Sequence, residues 1–179
     1  MQHPKPRGRG ADGSSRDGTS RSRARSRRFS VSRRVLVVED EQSIRDILAE
    51  LFDVDGNEVL VAATLDEAKA ALGRRVFDLI VTDLRLGGKR DGGLQVMAAG
   101  GMLSPDATVI VLTAYPDDDN RHASIRLGAT HFLEKPVDLL TIAELAASAG
   151  VASAMYPEPA GTRTGVTPLR AHATVPPVE

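Results

Sequence analysis

Five short apolar runs, each followed by a stretch with helical periodicity, occupy residues 34–149 of the 179-residue chain. The runs are rich in valine, leucine and isoleucine and do not alternate with polar residues, which is typical of parallel strands buried on both faces. A strand–helix repeat of this kind predicts an α/β fold with a doubly wound parallel sheet and flanking helices. We expect the five strands at residues 35–38, 58–63, 77–82, 108–114 and 130–136.

The stretches between the runs carry recognisable helix signals. Residues 41–52 place their apolar side chains three and four residues apart, which puts them on one helical face. Thr64 and Glu67 form a candidate capping box for a second helix, and Asp138 begins the fifth. The predicted third helix, 94–103, is the weakest, because two internal glycines each cost about 1 kcal/mol relative to alanine.

Charge and composition divide the chain into a domain and two tails. Residues 1–34 carry a net charge of +9, and the remainder carries −10. Residues 1–33 are rich in arginine and serine and have little to bury, so we expect a disordered tail. Residues 150–179 hold five prolines without helical or strand periodicity and form a second predicted tail. The sequence leaves no second core, so the folded domain at 34–149 is expected to stand alone.

The sequence lacks cysteine and long apolar runs, and both absences limit which chemistry and which location we expect. The chain has no cysteine, which excludes disulfides, thiolate metal sites and cysteine nucleophiles. No apolar run approaches the roughly 18 residues of a membrane helix. We therefore expect a cytoplasmic protein that does not enter a membrane.

Polar side chains lie at the carboxyl ends of four of the five predicted strands. Glu39 and Asp40 follow the first, and Asp83 follows the third. In a sheet of order 2-1-3-4-5 the first and third strands are neighbours, so the three carboxylates converge and repel one another. A divalent cation removes that conflict, and a few hard oxygen ligands beside a phosphate favour Mg²⁺. Thr113 and Lys135 end the fourth and fifth strands and complete the set.

This set is suited to receiving a phosphoryl group. Asp83 would attack phosphorus, Mg²⁺ and Lys135 would neutralise charge on the phosphoryl oxygens, and Thr113 would bond one of those oxygens. Each residue taken singly has a simpler explanation, such as a helix cap or a solvated surface charge. Their coincidence at successive strand ends favours the functional interpretation.

Residues 34–149 resemble the receiver domain of the bacterial two-component response regulators. The resemblance rests on four segments in the family's order and spacing: "VLVVEDE", "DLIVTDLRL", "VIVLTAY" and "GATHFLEKP". It implies a flavodoxin-like fold and a phosphorelay function, in which a sensor histidine kinase or a histidine phosphotransfer protein donates to Asp83. The chain would then be a signalling protein rather than an enzyme, although it would take part in its own dephosphorylation. Its output would go through homodimerisation or another protein at the 117–149 face.

The resemblance also assigns a role to each site residue. It implies that Glu39, Asp40, Asp83 and the backbone carbonyl of Arg85 serve Mg²⁺, and that Lys135 contacts the phosphoryl group. The resemblance further implies that Thr113 is the switch hydroxyl and Phe132 the switch aromatic residue. It also implies that Ala114 is the small residue that leaves room for the phosphate, and that the peptide bond before Pro136 is cis.

The sequence departs from the family pattern in the loop after Asp83. The segment "DLRLGGKRDGGL" lacks the usual proline and is about one residue longer than the family pattern. Both features argue against a stiff loop and against a stable third helix. Glu39 in place of aspartate is a common variant that ligates through water.

Three other interpretations compete with this one. A receiver fold could act without phosphorylation, although the intact site argues against this. Residues 1–34 could bind nucleic acid, which we favour less. A phosphatase of the haloacid-dehalogenase type would need an acid two residues after Asp83, where Arg85 stands, and is rejected.

Overall fold

Residues 32–157 are described by the structure, which is a computed structural model of the chain. Within this range all five strands pair in parallel in the order β2-β1-β3-β4-β5, as the sequence predicts. The strands are β1 (Arg33–Val38), β2 (Asn57–Ala62), β3 (Leu79–Asp83), β4 (Thr108–Thr113) and β5 (His131–Glu134). The helices are α1 (Gln42–Phe52), α2 (Leu65–Leu72), α3 (Gly92–Leu103), α4 (Asp118–Arg126) and α5 (Leu139–Ser148). Among the helices of residues 32–157, none has the length and apolar character needed to cross a bilayer.

The sheet separates two hydrophobic layers. Because side chains alternate along a strand, Val35 and Val37 face one layer while Leu36 and Val38 face the other. The first layer holds α1 and α5, and the second holds α2, α3 and the end of α4. Residues 35–38, 79–81 and 109–112 of the central strands are therefore apolar at consecutive positions, which explains the uninterrupted runs in the sequence.

Three helix starts carry the caps that fix where each helix begins. The Thr64 hydroxyl accepts a hydrogen bond from the Glu67 backbone amide at 3.2 Å, which confirms the predicted capping interaction. Asp117 caps α4 through the amide of Asn120 at 2.7 Å, and Asp138 caps α5 through the amide of Leu140 at 3.0 Å. The predicted helices consequently begin within two residues of the observed ones.

Helix α3 is continuous despite its glycines, and tertiary packing is the reason. Gly93 lies so close to the backbone of Asp83 and Leu84 that a side chain could not fit, and Gly100 packs against the Ile80 side chain. These glycines let the helix approach β3. The close packing against β3 outweighs the poor intrinsic helix propensity of glycine.

The loop between β3 and α3 is closed without a proline. Leu86 and Lys89 exchange two backbone hydrogen bonds, at 3.3 and 3.0 Å, around Gly87 and Gly88. Both glycines have positive φ, 59° and 75°, which residues with side chains rarely adopt. A tight glycine turn therefore closes this loop in the absence of a proline.

The folded unit extends beyond its predicted end at residue 149. Val151, Ala152 and Ser153 are buried, and the amide of Ala154 donates to the carbonyl of Leu51 at 2.7 Å. The chain thus packs beneath α1 after α5 ends, which differs from the predicted tail beginning at residue 150. The rest of both predicted tails, 1–31 and 158–179, lies outside the described residues.

Candidate functional site

The predicted site residues lie together at the carboxyl edge of the sheet. Glu39 and Asp40 directly follow β1, Asp83 is the last residue of β3, Thr113 is the last of β4, and Lys135 directly follows β5. Since β1, β3, β4 and β5 are consecutive in the sheet, parallel pairing brings these four strand ends side by side.

Three carboxylates form a cluster at this edge. One oxygen each from Glu39, Asp40 and Asp83 lies within 4.8 Å of the other two. Glu39 is only 1 % exposed, Asp83 is partly buried, and Asp40 faces solvent. A group of like charges this close is unfavourable unless a cation joins it. The donor set consists of hard oxygens with an open side, which fits a hard divalent cation such as Mg²⁺.

Lys135 supplies a positive charge to two of these acids. Its ammonium lies 2.6 Å from Asp83 Oδ2 and 2.7 Å from Glu39 Oε2. Its side chain is 17 % exposed, so both interactions are shielded from solvent. The single lysine therefore connects the strand ends of β1, β3 and β5.

Burial and hydrogen bonding shift the pKa values of two site residues, Glu39 and Lys135. For Glu39, burial disfavours the charged form and raises the pKa above its ordinary 4.5, although the hydrogen bond from Lys135 acts in the opposite direction. For Lys135, burial alone would lower the pKa, but the hydrogen bonds to Asp83 and Glu39 outweigh it and raise the pKa above 10.5. Lys135 is therefore held as a cation, while burial makes Glu39 harder to ionise than an ordinary glutamate.

The Asp83 carboxylate is oriented from two directions. Its Oδ1 accepts the backbone amide of Arg85 at 2.9 Å, and its Oδ2 accepts the ammonium of Lys135. Both bonds hold the carboxylate at the open end of the strand. Ala114, which follows Thr113, is exposed and places no bulk on this side.

The two predicted switch residues, Thr113 and Phe132, lie on the neighbouring strands β4 and β5. Thr113 is fully buried, and its hydroxyl accepts the amide of Tyr115 at 3.1 Å. Phe132 is half-buried in the second hydrophobic layer, with the Arg121 guanidinium 4.8 Å above its ring. The peptide bond between Lys135 and Pro136 is cis, as the resemblance implied.

Two supports of the acid cluster were not found from the sequence. The Arg45 guanidinium donates to the carbonyls of Glu39 and Asp40, at 2.8 and 3.2 Å, and so clamps the turn after β1. The amide of Gly87 donates to Asp40 Oδ2 at 2.9 Å. Arg45 stands among the polar positions of α1, and nothing in its spacing distinguishes it from a solvated charge.

A stacked pair beside the site was also missed. The Arg85 guanidinium lies 3.7 Å from the centre of the Tyr115 ring, and the Nε of Arg85 is buried without a hydrogen-bond partner. These residues follow Asp83 and Thr113 by two positions each, so the stack bridges the ends of β3 and β4. The sequence interpretation gave Arg85 a role through its carbonyl alone, and the structure adds a role for its side chain.

Comparison with known proteins agrees with the fold. A family profile described as response regulator receiver domain matches residues 35–147. The photosynthetic apparatus regulatory protein RegA of Rhodobacter capsulatus is 33 % identical over 127 residues, covering 70 % of this chain and 67 % of RegA. The alginate biosynthesis transcriptional regulatory protein AlgB of Pseudomonas aeruginosa is 36 % identical over 103 residues, which are 58 % of this chain but only 22 % of AlgB.

Solved structures of response regulators are also similar to this chain. A response regulator from Burkholderia pseudomallei, with a phosphorylated aspartic acid, a calcium ion and citrate, is 32 % identical with a TM-score of 0.57. That match covers 64 % of this chain and 65 % of the other. A CheY-like receiver domain from Methanospirillum hungatei is 28 % identical with a TM-score of 0.58, covering 63 % of this chain and 88 % of the other.

Proposed function

Because the chain belongs to the response regulator receiver domain family and therefore serves in phosphorelay signalling, we propose that Asp83 is the residue that accepts the phosphoryl group. One observation carries this assignment. Lys135, which lies 52 residues further along the chain, places its ammonium 2.6 Å from Asp83 and 2.7 Å from Glu39. A shielded cation joining two acids at a strand edge suits a phosphoryl site and would be an expensive way to build a structural ion pair.

The side chains divide the work of phosphoryl transfer. The Asp83 carboxylate attacks phosphorus, the bond between phosphorus and the donor histidine nitrogen breaks, and its electron pair returns to the imidazole, which takes up a proton. The Arg85 amide and Lys135 hold the carboxylate oriented before the donor arrives, and Lys135 then neutralises the transferred oxygens. Glu39, Asp40, Asp83 and the Arg85 carbonyl would hold Mg²⁺, which when bound supplies further charge neutralisation at the phosphoryl group.

The phosphorylated state would be read out through Thr113 and Phe132. The Thr113 hydroxyl, which accepts the Tyr115 amide in this structure, would instead donate to a phosphoryl oxygen. Phe132 would follow into the space next to Thr113 on the adjacent strand. This shifts the population of two conformations at α4, β5 and α5, the 117–149 face on which an output protein or a second copy would bind.

The finer properties belong to the same proposal. A sensor histidine kinase or a histidine phosphotransfer protein would be the donor, and the site would also hydrolyse its own aspartyl phosphate. A cytoplasmic location would suit such a donor. The chain spans 22 % of AlgB and 67 % of RegA, so an activity of either whole protein is not transferred to it.

Nucleic-acid binding through residues 1–34 is the less favoured second candidate. Residues 1–31 lie outside the described residues, and two arginines at the end of this segment are already engaged. Arg33 pairs with Asp78 at 2.6 Å, and Arg34 pairs with Glu58 at 3.4 Å. A loss of binding on deletion of residues 1–31, with a steep salt dependence, would support this candidate.

Acetyl phosphate with Mg²⁺ tests the main proposal on the full chain. We expect intact-mass spectrometry to show one added phosphoryl group on the wild-type chain and none on Asp83→Asn, which keeps the shape but removes the nucleophile. An Asp106→Asn variant, at an exposed acid outside the cluster, should behave as the wild type. Label on Asp83→Asn, or a folded wild-type chain that takes up none, would favour a receiver that works without phosphorylation.

A further inference from the structure

Helix α4 is held to the domain by few apolar contacts. Among its nine residues Ser124 is the single one that is buried, whereas every other helix of residues 32–157 buries at least two. Ile125, the aliphatic residue next to Ser124, is 58 % exposed. A helix with so little buried apolar surface depends on a few specific contacts for its position.

The Arg121 side chain makes one of these contacts. Its guanidinium carbon lies 4.8 Å from the centre of the Phe132 ring, which is within the range of a cation–π interaction. Arg121 precedes Ser124 by three residues, so it lies on the side of α4 that turns towards the sheet. Within residues 32–157 Arg121 forms no salt bridge, although Asp118 lies one helical turn before it. The ring, rather than the neighbouring acid, therefore engages the guanidinium.

The Phe132 ring lies on the same face of the sheet as Thr113. Phe132 on β5 pairs with Val111 on β4, and Thr113 follows Val111 by two residues, so the three side chains share one face. Phe132 is half-buried in the second hydrophobic layer, and Arg121 contacts it from α4. A ring that turns towards Thr113, at the end of the neighbouring strand, would therefore leave the guanidinium behind.

We propose that Arg121 is a positioning residue that holds the Phe132 ring in the orientation of the unphosphorylated state. The inference rests on the proposed function, in which Phe132 follows Thr113 when Asp83 is phosphorylated. That movement must break the stack, and α4 then loses one of the few contacts that fix it on β5. A cation–π interaction at an exposed site changes the ratio of two such conformations by about twofold to fivefold.

The side-chain rotamer of Phe132 tests this proposal without any phosphorylation. The full chain has four phenylalanines, and a spectrum of Phe132→Leu assigns the signals of this one. Three-bond NMR couplings to its ring carbon Cγ measure the rotamer populations. We expect Arg121→Gln to raise the share of the minor rotamer by about twofold to fivefold. Arg121→Lys, which keeps the charge but loses the planar group, should raise it less. Arg126→Gln, at an exposed cation in the last turn of α4, should leave it unchanged.

The affinity of the full chain for beryllofluoride with Mg²⁺ measures the consequence for the switch. Arg121→Gln should bind this phosphoryl mimic about twofold to fivefold more tightly, because more of the free chain has the competent ring orientation. In the Phe132→Leu background the same substitution should have no effect, since no ring remains for the guanidinium.

Two results would overturn the proposal: Phe132 rotamers that do not respond to Arg121→Gln, or an equal gain in affinity with and without the ring. A wild-type chain that binds no beryllofluoride would instead contradict the proposed function. The rotamer populations of the unphosphorylated chain would still decide whether Arg121 holds the ring.

Discussion

The two edges of the sheet both carry ion pairs, and they use them differently. At the amino edge Arg33 pairs with Asp78, and Arg34 and Arg75 pair with Glu58, with every side chain between 31 and 45 % exposed. At the carboxyl edge Lys135 pairs with Asp83 and with Glu39, which is almost fully buried. Solvent and salt screen exposed ion pairs, which therefore contribute little to the free energy of folding. Burying a cluster of charges costs desolvation free energy, and removing one charge leaves the others uncompensated. The comparison indicates that the carboxyl edge is built for chemistry and the amino edge for solvation.

The largest contrast is expected from removing one cation at each edge. Lys135→Gln leaves Glu39 and Asp83 facing each other without compensation, so we expect a loss of up to about 3 kcal/mol in the free energy of unfolding. Arg33→Gln breaks an exposed pair and should lose less than about 1 kcal/mol. Urea unfolding at neutral pH, with a chelator present, measures both. Similar losses for the two variants would remove the distinction between the edges.

Magnesium should act at one edge only. A ligand that binds the folded state at ten times its dissociation constant stabilises it by about 1.4 kcal/mol. We expect thermal unfolding of the wild type to shift upward with Mg²⁺, and the shift to be lost in Asp40→Asn. Glu58→Gln, at the amino edge, is the matched control and should retain the full shift. A shift that persists in Asp40→Asn would place the ion elsewhere.

The smallest expected effect is a pH dependence that belongs to Glu39. Its pKa in the folded state lies above the ordinary 4.5, because burial opposes ionisation. Below pH 4.5 the carboxyl is protonated in both states and contributes no penalty. As the pH rises from 4.5 through the higher folded-state pKa, the unfolded chain ionises first, so the folded state loses stability.

Glu39→Gln should remove this component of the pH dependence. The stability difference between the variant and the wild type should therefore grow in favour of the variant as the pH rises above 4.5. Asp46→Asn, at an exposed position on α1, controls for the simple loss of a charge. Denaturant titrations at several pH values provide the measurement, and a difference that stays constant with pH would contradict the assignment.

Most of the fold and the composition of the site could be predicted from the sequence. The apolar runs and the helical spacing are local properties, so the strand–helix order and the helix starts at Thr64 and Asp138 follow from near neighbours. The site follows from one further step, because parallel strands bring their carboxyl ends to the same edge. Glu39, Asp83 and Lys135 were predicted together for this reason, and the structure places their charged atoms in contact.

Contacts between residues distant in sequence had no local signature. The Arg45 clamp, the Arg85–Tyr115 stack and the bond from Gly87 to Asp40 depend on which loops approach each other. The packing of Val151 beneath α1 likewise depends on where α5 ends in space. Gly100 was predicted to weaken a helix, and the structure shows it packed against the Ile80 side chain of β3.

The order of the elements, the parallel sheet and the residue types that meet at its carboxyl edge all follow from the amino-acid sequence. Periodicity and strand polarity are carried along the chain, so they can be read from it. How those groups are held depends on contacts between distant segments: one lysine is shared between two acids, an arginine clamps the turn after β1, and a glycine turn closes the loop after β3. Such distances are set by packing between segments, which local sequence does not encode.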